Sequence, residues 1–279
     1  MTGRGRGAGR GAGRAGGADE LLAVAVEVAR AAADLARRLR AEGVSGVSTK
    51  STTTDVVTAA DKAPERAVRD ALSARRPGDT VLGEETGESA GTGRVRWILD
   101  PIDGTVNYLY GLPQYAVSLA AEVDGAVVAG VVVNAANGEE WTATRGGGAY
   151  RADRRLSGSA VTELGQALVA TGFGYAANRR AHQAGVLARL LPLVRDIRRL
   201  GAAALDLCYA AEGRVDAYYE KGLNLWDHAA GGLIAAEAGL LVTGLSGAPP
   251  GPDLVLAAPP GIHAALHDRL VAFDAAGGP

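Results

Sequence analysis

The chain has 279 residues, of which 47% are apolar and 22% charged, and its formal net charge is −2. That is the composition of an ordinary soluble globular protein of one or two domains, and it gives no global reason to expect a nucleic acid or a membrane surface as partner. The single cysteine, Cys208, excludes an intrachain disulfide and a thiolate metal cluster, and reads as apolar filler on a buried helix face.

Residues 1–17 contain only Gly, Arg, Ala, Met and Thr. They cannot bury enough apolar surface to offset their ordering entropy, so a disordered tail is expected. A solvated tail is favoured over an Arg-Gly arm touching RNA or DNA through Arg4, Arg6, Arg10 and Arg14, because the body has no matching basic stripe. Leu21, Leu22, Val24, Val28, Leu35 and Leu39 recur at helical spacing and predict a helix from about Asp19 to Glu42, capped at Gly43. Glu27 and Arg30 rule this segment out as a secretory core. No run reaches the ~18 apolar residues of a membrane span, which leaves the cytoplasm as the expected compartment.

A Thr-rich, strand-like segment follows from Ser48 to Asp61. Asp61 is then expected to N-cap a helix over 61–76, with Pro64 and Glu65 in its first turn; for Asp61 alone, capping is a sufficient explanation. Val81-Leu82 leads into the adjacent acids Glu84 and Glu85. Trp97-Ile98-Leu99 reads as a short buried strand ended by Asp100-Pro101, because the residue before proline avoids the helical region. Gly104 then lets the chain turn. Asp100 and Asp103 therefore project from one strand end, with a carbonyl between them and the Thr105 hydroxyl beyond. Hard divalent cations such as magnesium want that mixture of oxygens, although an Asx-rich surface turn explains a lone DPxDG equally well.

Further on, 117–123 and 126–133 form a hairpin around Asp124-Gly125. A strand over 140–144 runs into Gly146-Gly147-Gly148, which lacks the Lys-Ser/Thr and helix of a phosphate loop. Leu156 to Ser159 reads as a domain seam. Strands near 167–171, 196–200, 215–220, 240–243 and 254–257 alternate with helices near 182–194, 201–213, 227–239 and from 261, an α/β pattern. Asp227 is expected to N-cap its helix. His182, His228, His263 and His267 read as ordinary helix or surface histidines.

Several acids thus fall at strand ends and helix starts, where α/β proteins place ligand sites and where they would repel one another without cations. Four blocks in order resemble the inositol monophosphatase family of magnesium-dependent, lithium-sensitive phosphatases: Lys50-x4-Asp55-Val56-Val57-Thr58-x2-Asp61, Gly83-Glu84-Glu85-Thr86, Asp100-Pro101-Ile102-Asp103-Gly104-Thr105-x-Asn107-Tyr108, and Trp226-Asp227-x-Ala229-Ala230-Gly231. The resemblance spans about residues 19–272.

The resemblance implies a five-layered αβαβα sugar-phosphatase fold, α/β in class, with an α+β N-terminal half (18–157), an α/β C-terminal half (158–272) and a tail (273–279). It implies Mg2+ held by Glu84, Asp100, Ile102 (through its carbonyl), Asp103 and Asp227. Glu84, Thr105 and Asp61 match the positions that orient and deprotonate the attacking water. Asp103, Gly104, Thr105, Ala203, Glu220 and Asp227 match substrate positions, with Lys50 on a nearby loop and Asn224 at a position that varies. The implied reaction is hydrolysis of myo-inositol monophosphate. The alternatives are fructose-1,6-bisphosphate, histidinol phosphate, 3'-phosphoadenosine phosphate, or an RNA-associated role of the tail. Lys221, Arg198 and Arg199 are the only cations expected near Glu220, which disfavours a bisphosphate. Family habit implies a homodimer acting on a small phosphorylated polyol or sugar, with no membrane partner and nucleic acid touched weakly through the tail at most.

Overall fold

The computed structural model describes residues 12–43, 48–49, 56–57 and 59–279, with side chains from 17 to 43 and from 61 onward. In chain order the first half holds α1 (Ala12–Glu42), β1 (Ser48–Thr49), β2 (Val56–Val57), α2 (Ala59–Arg75), β3 (Thr80–Gly83), β4 (Gly87–Glu88), β5 (Val95–Asp103), α3 (Thr105–Tyr110), β6 (Ala116–Val123), β7 (Ala126–Asn134), β8 (Glu140–Thr144), β9 (Gly148–Arg151) and β10 (Arg154–Arg155). The second half adds β11 (Leu168–Thr171), α4 (Ala177–Leu190), β12 (Asp196–Arg198), α5 (Ala203–Glu212), β13 (Ala217–Glu220), α6 (Leu225–Glu237), β14 (Leu241–Thr243), β15 (Val255–Ala258) and α7 (Pro260–Ala272).

An eight-stranded sheet has the order β10-β9-β8-β7-β6-β5-β3-β4, and a five-stranded sheet the order β12-β11-β13-β15-β14. The alternation of side chains along each strand sets the layers. Trp97 and Leu99 of β5 and Val117 and Leu119 of β6 face α1 and α2, while Ile98, Ala116 and Ala120 face the other way. That second face packs on α5 and α6, whose far side meets Tyr218, Val255 and Ala257 of the smaller sheet. Val169, Ala217 and Leu256 point outward to α4 and α7. The result is the expected αβαβα stack. Small residues at Ala203, Ala204, Ala229 and Ala230 let the two middle helices sit close between the sheets. Among the described residues, no helix is long and apolar enough to cross a membrane.

Several elements depart from expectation for local reasons. The helix α1 begins at Ala12, so residues 12–17 extend it rather than belonging to the tail; once a helix exists, each further residue adds a bond at little cost. Residues 1–11, Lys50 and Asp55 lie outside the described residues. The helix α2 starts at Ala59, which puts Asp61 inside the first turn instead of at the N-cap. Likewise α6 starts at Leu225 with Asn224 as N-cap, and Asp227 occupies the third helical position, where it accepts the Asn224 N–H at 2.6 Å. The strand β5 does not stop at Asp100-Pro101. It runs on to Asp103, and a bulge between Asp100 and Asp103 absorbs the missing proline donor. The helix α4 ends at Leu190, earlier than expected, because Pro192 has no N–H to continue it.

Candidate active site

The bulged end of β5 and the short helix after it build one wall of a cavity of about 480 Å³. Asp100, Ile102, Asp103 and Thr105 are all buried there. The Ile102 N–H donates to Asp100 Oδ1 at 3.0 Å, which fixes the first carboxyl group against its own bulge. Gly104 turns the chain with φ +89°, and a Cβ on it would lie 2.7 Å from the Gln114 carbonyl oxygen. Only glycine satisfies both the dihedral and the space. Thr105 Oγ1 lies 3.2 Å from Asp61 Oδ1 and 3.1 Å from the Ile102 oxygen; its single proton serves one acceptor at a time. The wall is held from behind by α1, whose Arg40 donates to the Tyr108 carbonyl at 2.6 Å, while Tyr108 donates to the Ala36 carbonyl at 3.1 Å.

The opposite wall comes from the second half of the chain. The helix α5 lacks a side-chain cap of its own. Its first N–H groups, those of Ala203 and Ala204, donate to the two Asp103 oxygens at 3.2 and 2.7 Å. Asp103 therefore caps a helix a hundred residues away and ties the halves together at the cavity. Asn107 adds a second tie, donating to the Gln114 and Leu200 carbonyls, each at 2.8 Å. Glu220 ends β13 and accepts the Tyr218 hydroxyl at 2.7 Å. It passes over Gly172 so closely that a Cβ there would fall 1.9 Å from Glu220 Oε2.

Burial, more than anything else, raises the pKa of these acids, and their mutual repulsion raises it further. Asp100 is pushed well above the usual carboxylate range by burial and then by Glu84, Asp103 and Asp227, and it shares a hydrogen bond with Glu84. Asp103 is raised to about 7 by burial, against the pull of the Ala204 N–H. Asp227 is raised well above its ordinary value by burial and then by Asp103. Glu220 is raised by burial, while Tyr218 and Arg199 hold it down. No cationic side chain is among the main influences on Asp100, Asp103 and Asp227, and hard cations would supply the counter-charge these three lack.

The donor set suits magnesium: carboxylate oxygens from Glu84, Asp100, Asp103 and Asp227, plus the Ile102 carbonyl. Among the described residues, however, no three acids close on a common point as a finished ligand cage. The residues fit the ion by donor chemistry and charge, with lone pairs to spare on each carboxylate.

Glu84, Asp100, Ile102, Asp103, Gly104, Thr105, Ala203, Glu220 and Asp227 all line this one cavity, and Asp61 stands behind Thr105. The expected cations behave differently from one another. Arg198 pairs with Asp196 at 2.6 Å and does not line the cavity; Lys221 lines it, but its Nζ donates to the carbonyls of Ala276, Gly277 and Gly278. Arg199 does line the cavity and lies 6.0 Å from the Phe173 ring, and Arg179 is on the same wall. None of the four histidines lines it; His228 is buried and pushed down to about 4. The Gly146 and Gly148 N–H groups donate to Glu237 at 2.8 and 2.9 Å, so the glycine triplet is filled by the chain itself. Sequence reasoning missed Tyr218, Gly172 and Arg179. Only Tyr218 left a usable signal, two residues before Glu220 on the same strand face.

A model of the inositol monophosphatase family matches residues 18–273. The chain is 48% identical over 276 aligned residues to an inositol-1-monophosphatase of Mycobacterium leprae, covering 92% of this chain and 95% of that protein. It is 39% identical to the Nus factor SuhB of Escherichia coli K12, over 81% of this chain and 86% of the relative. The solved structure of Mycobacterium tuberculosis SuhB superposes with a TM-score of 0.79 at 46% identity, covering 93% of this chain and 98% of that one. With this stack of layers and this row of acids at the end of β5, the chain belongs to the inositol monophosphatase family, a family of phosphatases.

Proposed function

We propose that the protein is a magnesium-dependent phosphomonoesterase that hydrolyses myo-inositol monophosphate to inositol and phosphate. The observation that supports this reading is the meeting, in one cavity, of the Glu84, Asp100, Asp103 and Asp227 carboxyl groups with Thr105, backed by Asp61, and with Glu220. When bound, magnesium supplies the positive charge that balances both the acids and the phosphate and acidifies the attacking water.

The chain's own groups do the rest. The Gly104 and Thr105 N–H groups receive phosphate oxygens at the start of α3. Asp61 accepts the Thr105 proton, so the Thr105 oxygen keeps a lone pair turned toward the water. Glu84 and Thr105 orient that water and take its proton. Attack at phosphorus breaks the ester P–O bond, and the departing inositol oxygen gains a proton from solvent. No bond forms between phosphorus and the protein. Glu220, held by Tyr218, accepts hydrogen bonds from two neighbouring ring hydroxyls, and Ala203 packs beside it. Arg198 pairs with Asp196 and Lys221 is held by backbone carbonyls, but Arg179 and Arg199 line the cavity, so the cations near Glu220 do not by themselves separate a monophosphate from a bisphosphate. We infer a cytoplasmic homodimer. Phosphate release over a panel of sugar, polyol and nucleotide phosphates tests the substrate; a nucleotide or bisphosphate hydrolysed far faster than inositol 1-phosphate would refute it.

The name of the Escherichia coli relative, Nus factor, favours a second and compatible reading, an RNA-associated role of the Arg-Gly segment. A salt titration of RNA binding with and without residues 1–17 tests it, and equal binding by both chains would remove it.

A further inference from the structure

The helix α2 carries Asp61 and Glu65 one turn apart, on one face. Asp61 reaches Thr105. Glu65, fully buried at 0% exposure, reaches the turn that bears Glu84. Its Oε2 accepts the Glu85 N–H at 2.9 Å and its Oε1 the Thr86 N–H at 3.1 Å, and the Thr86 hydroxyl also donates to Oε1. Arg69, one turn further on, donates to Glu65 Oε1 and to the Val81 carbonyl, both at 3.1 Å, and to the Gly87 carbonyl. The fit is close: a Cβ at Gly83 would lie 2.6 Å from the Glu65 carboxyl carbon and 2.8 Å from Arg69 Nη2. On its other side the turn is fixed by the Glu84 N–H, which donates to the Leu99 carbonyl at 3.3 Å.

The Glu84 turn is therefore fastened immediately before and immediately after the residue that matters. The rear fastening hangs from the same helix face as the Asp61–Thr105 pair. Glu65 itself does not line the cavity. We propose that Glu65 is a positioning residue: its carboxylate registers Glu84 against Thr105, so that one rigid helix sets the spacing between a metal ligand and the water-orienting hydroxyl. The inference rests on the reading of Glu84 as a magnesium ligand. A glutamine cannot replace it, because its NH2 would face a backbone N–H or the Arg69 guanidinium.

The test uses the full chain with Glu65→Gln and the milder Thr86→Val, which removes only the hydroxyl donor. Magnesium binding to the substrate-free protein is measured by titration calorimetry, well below the melting temperature of each variant. Steady-state kinetics follow at saturating and limiting magnesium. Loss of an outer-shell partner weakens metal affinity by about 10- to 100-fold. Glu65→Gln is expected in that range, with kcat lowered and KM for inositol 1-phosphate changed less than about threefold; Thr86→Val should show a smaller loss in the same direction. A purely structural role would lower the melting temperature and leave the magnesium Kd at its wild-type value in both variants, which overturns the inference. If Glu65→Gln does not fold, Thr86→Val decides alone, and a wild-type Kd there overturns it. A wild-type protein that binds no magnesium overturns the metal reading and this inference with it, whereas wild-type binding with unaltered variants overturns the inference alone.

Discussion

Thr105→Val probes the proposed chemistry at a single atom. Valine keeps the shape of threonine but removes Oγ1, which lies 3.2 Å from Asp61 Oδ1 and 3.1 Å from the Ile102 oxygen. The site is buried, with Asp61 1% and Thr105 8% exposed, so solvent cannot replace the lost bond freely. A hydrogen bond to a charged group contributes about 1.5–3 kcal/mol, and a chain of this size loses about 2 °C in melting temperature per kcal/mol, which gives a drop of roughly 3–6 °C. The effect on rate is expected to be larger. A positioned group that moves a proton is worth about 10²–10⁴ in kcat, or roughly 3–5 kcal/mol of barrier. Thr105→Ser, which restores the oxygen, should recover most of that rate while staying slightly less stable. Phosphate release at saturating magnesium and substrate, read beside thermal melting, separates the two effects. A Thr105→Val enzyme within threefold of wild-type kcat would refute the role given to the Thr105–Asp61 pair.

Asp100→Asn should reduce kcat by at least ~10³ yet leave the metal-free melting temperature equal or higher, because a neutral amide keeps the Ile102 N–H bond and relieves repulsion by Glu84, Asp103 and Asp227; wild-type turnover at saturating magnesium would sink the ligand assignment. Gly104→Ala forces a Cβ to 2.7 Å from the Gln114 oxygen at φ +89°. A cost of about 1–3 kcal/mol in denaturant unfolding is expected, with a fall in kcat as Thr105 shifts. Lithium carries half the charge of magnesium at similar size and should inhibit uncompetitively by replacing the weaker ion after substrate binds. Steady-state kinetics over a grid of lithium and substrate check this, and a lack of effect at millimolar lithium would remove the weak site between Asp103 and Asp227.

Much of the site was legible because its chemistry is local in sequence. Asp100, Ile102, Asp103, Gly104 and Thr105 lie in six consecutive positions, and a strand end followed by a turn brings them together whatever surrounds them. The layers were legible for a similar reason, since alternation in β5 and β6 and helical spacing in α1 each declare a buried face. What the sequence hid depends on partners far along the chain. Asp103 caps α5 a hundred residues away, and no local pattern marks that bond. The continuation of β5 through Pro101 depends on a bulge paired with β6, which a rule for isolated Asp-Pro cannot foresee. Asp61 and Asp227 look like N-caps by composition, yet helices starting at Ala59 and Leu225 shift both inward; Asp61 meets Thr105, as the family resemblance implied, and Asp227 turns to the Asn224 N–H. Gly172 matters only because Glu220 passes over it.

The most direct measurement is the stoichiometry of products from myo-inositol 1-phosphate, with inositol and inorganic phosphate followed together in protein stripped by a chelator and then resupplied with magnesium. The expected result is no turnover in the stripped protein and equal molar release of the two products once magnesium returns. Undiminished release without a divalent ion, or no release after magnesium is restored to a folded protein, would contradict the proposed function.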